Sequence, residues 1–323
     1  MDLILPMAGE SGLLSQGFEE NTSLTIAGKP LIEHIIRKVD HFDFEKAIFI
    51  LDKDRPRFKT YIKETFDFEA KFIKQVSKKG PAHAIFGAEK YVDDDVFILF
   101  SDTFIEFDET LVSAFDGDGL VLTKEVENPT EYGVVFEHDK QITRMTEKPD
   151  IPSSDQAMVG AYYFHDSETL FDKIDHIIEN DITSNEAFHL TDAIQLMIED
   201  GSDIRKGEVD LWINMDRPDN LLEVNRLLLD EEDHDGYQTE NSVIIPPVYF
   251  DHTVEIINSV VGPHVSLESD VTLENARVKN AILSKGCNVE GVVLDESIIG
   301  KYADIKSKSN KVTVGDYSEV QFS

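Results

Sequence analysis

The sequence predicts an α/β fold over its first two thirds and a parallel β-helix after it. Short apolar runs alternate with helical periodicity from Leu3 to Phe100, the mark of βαβ units and a parallel sheet that presents ligands at the carboxyl ends of its strands. From Gly119 to Phe164 the pattern changes to successive strands separated by turn residues, which widens the sheet. Farther on, small branched apolar residues fall six apart, at Val254 and Val260, Val265 and Val271, then Val293, Ile299 and Ile305, with glycines at 262, 286, 300 and 315 near the turns. That spacing gives each coil one inward residue per face. The repeat slips between Val260 and Val265, and a β-sandwich is the alternative.

Each element has its own signal. Leu3 to Leu5 reads as a strand stopped by Pro6, and Pro30 to Val39 as a helix with proline in its first turn. Strand Ala47 to Leu51 precedes helix Arg57 to Phe66, strand Ala70 to Lys74 precedes helix Pro81 to Tyr91, and Val96 to Phe100 is the next strand. Leu120 to Thr123, Gly133 to Glu137, Ile142 to Thr146 and Met158 to Phe164 follow as strands. Helical spacing returns at Ser167 to Ile178, Thr191 to Ile198 and Asp219 to Leu229, around a strand at Val209 to Asn214. The acidic, turn-rich run Leu229 to Gly236 has no periodicity and marks a boundary. Residues 1–229 therefore read as one domain, 230–242 as a linker and 243–323 as the β-helix.

With 323 residues, 41% of them hydrophobic, the chain can fill about two ordinary cores. Its formal charge of -34, from 64 acidic against 30 basic residues, opposes binding to nucleic acid or an anionic membrane. No stretch approaches the roughly 20 apolar residues that cross a bilayer, and Met1 leads into Asp2 and a strand rather than an export signal. The single cysteine, Cys287, cannot form an internal disulfide and reads as a small apolar filler, which fits a reducing cytoplasm.

The segments LILPMAG, AGKPLIEHII, FSDTFIEFD, EYGVVFEHDKQITRMTEKP, GAYYF, LTDAIQLMIEDG and WINMDRPDNLLEVNRLLL, in this order and spacing, resemble the sugar-1-phosphate nucleotidylyltransferase family. The resemblance is to its glucose-1-phosphate thymidylyl- and uridylyltransferase members with a carboxy-terminal β-helix. It implies a Rossmann-like mixed sheet in the nucleotidyltransferase domain, followed by a left-handed parallel β-helix. It also implies nucleotide contacts at Ala8, Gly9, Gln75 and Gly80, with backbone N–H groups approaching phosphate and the Gln75 amide reading the base edge. Asp102, ending an apolar strand, stands where the family holds Mg²⁺. Tyr132, Gly133, Glu147, Lys148 and Tyr162 stand where it holds the sugar phosphate, with the carboxylate accepting from sugar hydroxyls and the lysine pairing the phosphate. Asp102 and Lys148 are then the catalytic pair. Thr191 and Asp192 match as well, and equally suit a helix cap.

Two stretches depart from the family. Where relatives carry G-x-G-T-R and then P-K, this chain reads GESGLLSQGFEENTSLTIAGKP. Leu13 or Leu14 stands near the arginine and Ser23 or Leu24 near the lysine, in a loop two residues short that bears Glu10, Glu19 and Glu20. Lys29 is the nearest cation. Where relatives read W-x-D-x-G, Asn214 replaces the second metal aspartate and Asp216 the glycine, so Asp102, Asn214 and Asp216 form the expected Mg²⁺ set. Charge neutralisation dominates phosphoryl transfer, and each lost donor costs about 3 to 4 kcal/mol. Two functions follow: synthesis of a nucleotide sugar from an NTP and a sugar 1-phosphate, or a catalytically silent homologue that binds a nucleotide sugar and regulates or scaffolds an active relative. The family's use of the β-helix implies self-association into homo-oligomers.

Overall fold

The computed structural model describes residues 1–7, 24–75, 77–93, 95–151, 154–231 and 241–307. They form two compact units, one lying within residues 1–220, the other built on residues from Leu221 onward together with Leu24–Lys29.

In chain order the first part of the fold runs β1 (Asp2–Pro6), β2 (Thr25–Ile26), β3 (Lys29–Pro30), α1 (Leu31–Arg37), β4 (Lys46–Leu51), α2 (Pro56–Thr65), β5 (Glu69–Lys74) and α3 (Pro81–Phe86). It continues through β6 (Val96–Leu99), β7 (Thr103–Glu106), α4 (Thr110–Ser113), β8 (Gly119–Glu125), β9 (Val134–His138), β10 (Gln141–Thr146) and β11 (Gln156–Phe164). Then come α5 (Ser167–Glu179), α6 (Leu190–Glu199), β12 (Ile204–Glu208), β13 (Leu211–Asn214) and α7 (Pro218–Asp230).

A nine-stranded mixed sheet in the order β5-β4-β1-β6-β11-β8-β12-β10-β9 forms the frame. β5, β4, β1 and β6 are parallel, as the βαβ pattern predicts; the apolar runs of β4, β1 and β6 are buried because helices cover the sheet, while the edge strand β5 is only half-buried. The chain moves outward from β1 to β4 and β5, then returns to place β6 on the other side of β1. β1 and β6 therefore flank a topological switch point, where open α/β sheets bind ligands beyond the carboxyl ends of their strands. Antiparallel β11 joins β6 to β8 and widens the sheet as the strand-rich middle predicts.

Three local expectations change. The helix expected over Pro81 to Tyr91 stops at Phe86, with Gly87 at its C-cap, and Glu89–Tyr91 forms a separate 3₁₀ turn. The strand expected over Val209 to Asn214 begins at Leu211. β12, with the sequence Ile-Arg-Lys-Gly-Glu, lacks an apolar alternation and is placed by its ladder with β8 rather than by its own propensity. β7 starts one residue after Asp102, and its partner is β13 in a two-stranded antiparallel ribbon.

In the second unit the strands are β14 (Val243–Ile244), β15 (Val248–Phe250), β16 (Glu255–Ile257), β17 (Val260–Val261), β18 (Val265–Leu267), β19 (Thr272–Glu274), β20 (Arg277–Val278), β21 (Ala281–Leu283), β22 (Asn288–Glu290), β23 (Val293–Leu294), β24 (Ser297–Ile299) and β25 (Asp304–Lys306). They make three parallel four-stranded sheets, β14-β17-β20-β23, β15-β18-β21-β24 and β16-β19-β22-β25. This is a β-helix and not the alternative sandwich. Val248 pairs with Val265, 17 residues on, and Val265 with Ala281, 16 residues on. A coil is thus shorter than three full hexapeptides, which accounts for the slip after Val260. Two inward assignments are corrected: Val260 lies outside the coil core, where Val261 takes the inward place, and Val293 is 71% exposed, while Val292 and Leu294 pack on the core. Cys287 is buried in that core, and burial pushes its thiol up.

Leu24–Lys29 belongs to this unit through buried polar groups. The Ser266 hydroxyl donates to Asn225 Oδ1 at 2.6 Å and accepts from the Ala27 N–H at 3.0 Å. The Glu268 carboxylate accepts from the N–H groups of Thr25 at 3.1 Å and Lys285 at 2.6 Å. Of the linker expected over 230–242, residues 232–240 lie outside the described residues.

Candidate functional site

Asp102 stands three residues beyond the last residue of β6, at the switch point, and turns the chain directly into β7. The β7–β13 ribbon aligns Thr103 with Asn214, and the Met215 N–H donates to the Asp102 carbonyl at 2.8 Å. Asn214 and Asp216 are thereby held beside Asp102. Loss of hydration pushes the Asp102 carboxyl above the usual carboxylate range, against the pull of a backbone hydrogen bond, and the charge of Asp216 adds to the rise. Asn214 Oδ1 is buried and has no hydrogen-bond partner.

Two carboxylates that repel one another and an orphaned amide oxygen together make an oxygen acceptor set. The set fits Mg²⁺, which takes oxygen ligands and needs only one or two carboxylates alongside substrate phosphates. No group of three or more His, Cys, Asp and Glu residues that could hold a metal ion occurs among the described residues.

A second cluster lies along β9, β10 and β11. The Lys148 N–H donates to the Tyr132 carbonyl at 3.2 Å, which brings the expected sugar-phosphate residues Tyr132, Gly133, Glu147 and Lys148 to one place. A Cβ on Gly133 would lie 2.0 Å from the Met158 methyl and 2.8 Å from Glu147 Oε2, so only glycine leaves room for this carboxylate. Lys148 adopts φ +42°, a conformation that costs a non-glycine residue on the order of 1 to 3 kcal/mol. Its side chain is exposed. The Tyr132 ring packs edge-on against Trp212 at 4.9 Å. Burial and the charges of Glu131 and Asp216 raise the Tyr132 hydroxyl, and Arg217 opposes them.

Tyr162 connects the two clusters. Its hydroxyl is raised by burial first, then by the charges of Glu147 and Asp102. β11 reaches this position through an irregularity between Met158 and Tyr162, where Gly160 at φ +81° accepts from the Phe100 N–H at 2.9 Å. Such bulges re-aim side chains next to sites.

Gln75 follows β5, with its N–H donating to the Leu51 carbonyl at 2.7 Å. Three ladder steps separate β5 from β6, about 14 Å at the usual strand spacing, so Gln75 lies on the far side of the parallel half-sheet from Asp102. Gly80 has φ +115°, and a Cβ there would lie 2.4 Å from the Phe188 carbonyl. The Phe188 N–H donates to the Lys79 carbonyl at 2.8 Å, and its carbonyl accepts from the Ala82 N–H at 3.0 Å.

Ala8, Gly9 and the stretch from Glu10 to Ser23, acidic and without lysine or arginine, lie outside the described residues. The residue reading passed over Phe188, His83 and Arg217. His83 follows Gly80 on α3, with its Nδ1 buried and unpartnered and its basicity lowered by burial and by Lys79. Arg217 stands 3.8 Å from Asp216, a cation beside the acceptor set whose only signal is its adjacency to the metal motif. The helix-cap reading of Thr191 and Asp192 does not hold: α6 starts at Leu190 with no side-chain cap, Asp192 accepts from Ser184, and Thr191 donates to Glu147.

This parallel half-sheet, with Asp102 at its switch point and Glu147 following β10 of the same sheet, is the frame of a nucleotidyl transferase domain. The chain matches the nucleotidyl transferase family over residues 20–231 and belongs to it. It is 26% identical to the low-salt glycan biosynthesis nucleotidyltransferase Agl11 of Haloferax volcanii over 92% of each chain. It is 27% identical to a glucose-1-phosphate thymidylyltransferase of Streptomyces griseus over 80% of each. A Bacillus anthracis crystal structure assigned as a glucose-1-phosphate thymidylyltransferase shares the fold, with TM-score 0.60 and 19% identity over 73% of this chain and 98% of that one. No helix among the described residues is long and apolar enough to cross a membrane.

Proposed function

We propose that the protein joins a nucleotide to a sugar 1-phosphate, giving an NDP-sugar and pyrophosphate. What supports this reading is the Met215–Asp102 backbone bond that sets Asn214 and Asp216 beside Asp102 at the switch point, with Tyr132, Gly133 and Glu147 gathered along the neighbouring strands β9 to β11. In the reaction a phosphate oxygen of the sugar 1-phosphate attacks the α-phosphorus of the NTP. The bond to the bridging oxygen of the β-phosphate breaks, and the electron pair leaves with pyrophosphate.

Gln75 reads the base, and Gly80 allows close approach. Glu147 accepts from sugar hydroxyls. Lys148 pairs with the sugar phosphate and holds its oxygen in line, a positioning role that supplies much of the acceleration in such transfers. Asp102, Asn214 and Asp216 would hold Mg²⁺, which offsets charge on the phosphates when bound. A pyrophosphate-release assay over dTTP and UTP with hexose 1-phosphates tests the reading. Turnover with one pair supports it, and background rates with every pair overturn it.

One observation favours the silent, nucleotide-sugar-binding alternative: residues 8–28 contain no lysine or arginine, so the loop after β1 brings no cation to a triphosphate. Calorimetry with dTDP-glucose and UDP-glucose separates the two, because the silent homologue binds without turnover. We extend the reading to a cytoplasmic homo-oligomer assembled through the β-helix, alone or with an active homologue. Sedimentation velocity checks the assembly, and a monomer at micromolar concentration would remove it.

A further inference from the structure

Thr191 occupies the second position of α6, where a threonine hydroxyl ordinarily bonds to nearby backbone. Here it reaches across to β10's far end and donates to Glu147 Oε2 at 3.1 Å, although Thr191 is only 6% exposed. The same Oε2 is the oxygen lodged against Gly133. Oε1 is left without a partner among the described residues.

The segment that carries Thr191 is itself fixed. The Ser184 hydroxyl donates to Asp192 Oδ1 at 2.7 Å, and Phe188 is bound through both its N–H and its carbonyl to the Lys79–Ala82 turn. The Phe188 ring is 5% exposed and stacks on His83 at 6.3 Å. Thr191 thus acts from a rigid base, tied to the turn that carries Gly80.

We infer that Thr191 is a positioning residue for sugar recognition: by holding Oε2 of Glu147, it presents Oε1 to a sugar hydroxyl. A glutamate has several rotatable bonds, and fixing them before the ligand arrives removes an ordering cost that binding would otherwise carry. The inference rests on the assignment of Glu147 to the sugar, and its test needs no turnover.

The experiment is calorimetric titration of the full chain with dTDP-glucose against dTDP, and with UDP-glucose against UDP, for wild type, Thr191→Val, Thr191→Ser, Glu147→Ala and the double variant Thr191→Val/Glu147→Ala. Valine keeps the shape and removes the hydroxyl, and serine restores it. A lost hydrogen bond to a charged group corresponds to roughly tenfold. Thr191→Val should weaken the nucleotide sugar about tenfold while leaving the nucleoside diphosphate unchanged, Thr191→Ser should recover most of the loss, and the double variant should be no weaker than Glu147→Ala. Equal weakening of both ligands by Thr191→Val, or additive losses in the double variant, would overturn the positioning role. A wild-type protein that binds the diphosphate but gains nothing from the glucose would overturn it together with the sugar assignment, and one that binds neither ligand would remove the functional reading as a whole.

Discussion

The peptide N–H of Met215 is 2.8 Å from the carbonyl oxygen of Asp102, and this one bond ties the turn after β6 to the end of the β7–β13 ribbon. Asn214 and Asp216 flank Met215, so both are locked beside the switch-point carboxylate. Replacing Asn214 with aspartate restores a charged ligand at the orphaned position. Because charge count tunes the affinity of oxygen sites, Asn214→Asp should lower the Mg²⁺ concentration for half-maximal effect about tenfold. Magnesium titrations of nucleotide-sugar binding or of turnover read this directly, and an unchanged midpoint would exclude Asn214 from the metal set.

The close approach at Gly133 predicts a variant that disturbs the site more than the fold. Gly133→Ala must displace both the Met158 methyl and the Glu147 carboxylate, but both are ends of flexible side chains, so the stability cost falls at the low end of the roughly 1 to 3 kcal/mol of overpacking. Gly80→Ala should cost at least as much, because its obstacle is the Phe188 backbone and its φ is +115°. Urea unfolding midpoints for the two variants give the comparison.

Alkaline pH should weaken the first unit through Tyr61. Burial, followed by the hydrogen bond to Glu33, raises its hydroxyl from 10.0 to about 12. The folded state therefore favours the neutral phenol more than the unfolded chain does. The stabilisation is complete below pH 10.0, the unfolded value, and is lost as pH rises through about 12. Thermal unfolding followed from pH 9 upward should show a fall across that window that Tyr61→Phe makes shallower, Tyr132 and Tyr162 retaining their own share.

Ser266→Ala should destabilise the second unit by about 1 to 3 kcal/mol, the penalty for stranding buried polar groups. The hydroxyl serves the Ala27 N–H and Asn225 Oδ1 at once, and Asn225 is fully buried. Denaturant unfolding of Ser266→Ala beside Ser266→Thr measures the loss.

Much of this architecture is legible in residue patterns because burial has a period. The alternation of buried strands and amphipathic helices through Phe100 foretells the parallel half of the sheet, and EYG followed by EKP brings Tyr132, Gly133, Glu147 and Lys148 to one place. What the patterns miss is set by partners distant in sequence. β12 carries two cations and a glycine and exists as a strand only because β8 and β10 flank it. Thr191 looks like a cap because capping and reaching across to Glu147 use the same residue type. The slip after Val260 obscures a coil that is simply a residue or two shorter than three hexapeptides.

The membership of Leu24–Lys29 in the second unit means that the chain's two halves are not separable modules. A protein ended after α7 would lose Ser266 and Glu268, the acceptors for the Ala27 and Thr25 N–H groups, and the strand pair that delivers the chain into α1 would lose its fastening. Removing the coils would therefore strip Leu24–Lys29 of its buried partners, and evolution could exchange the β-helix only together with this short stretch that precedes Pro30.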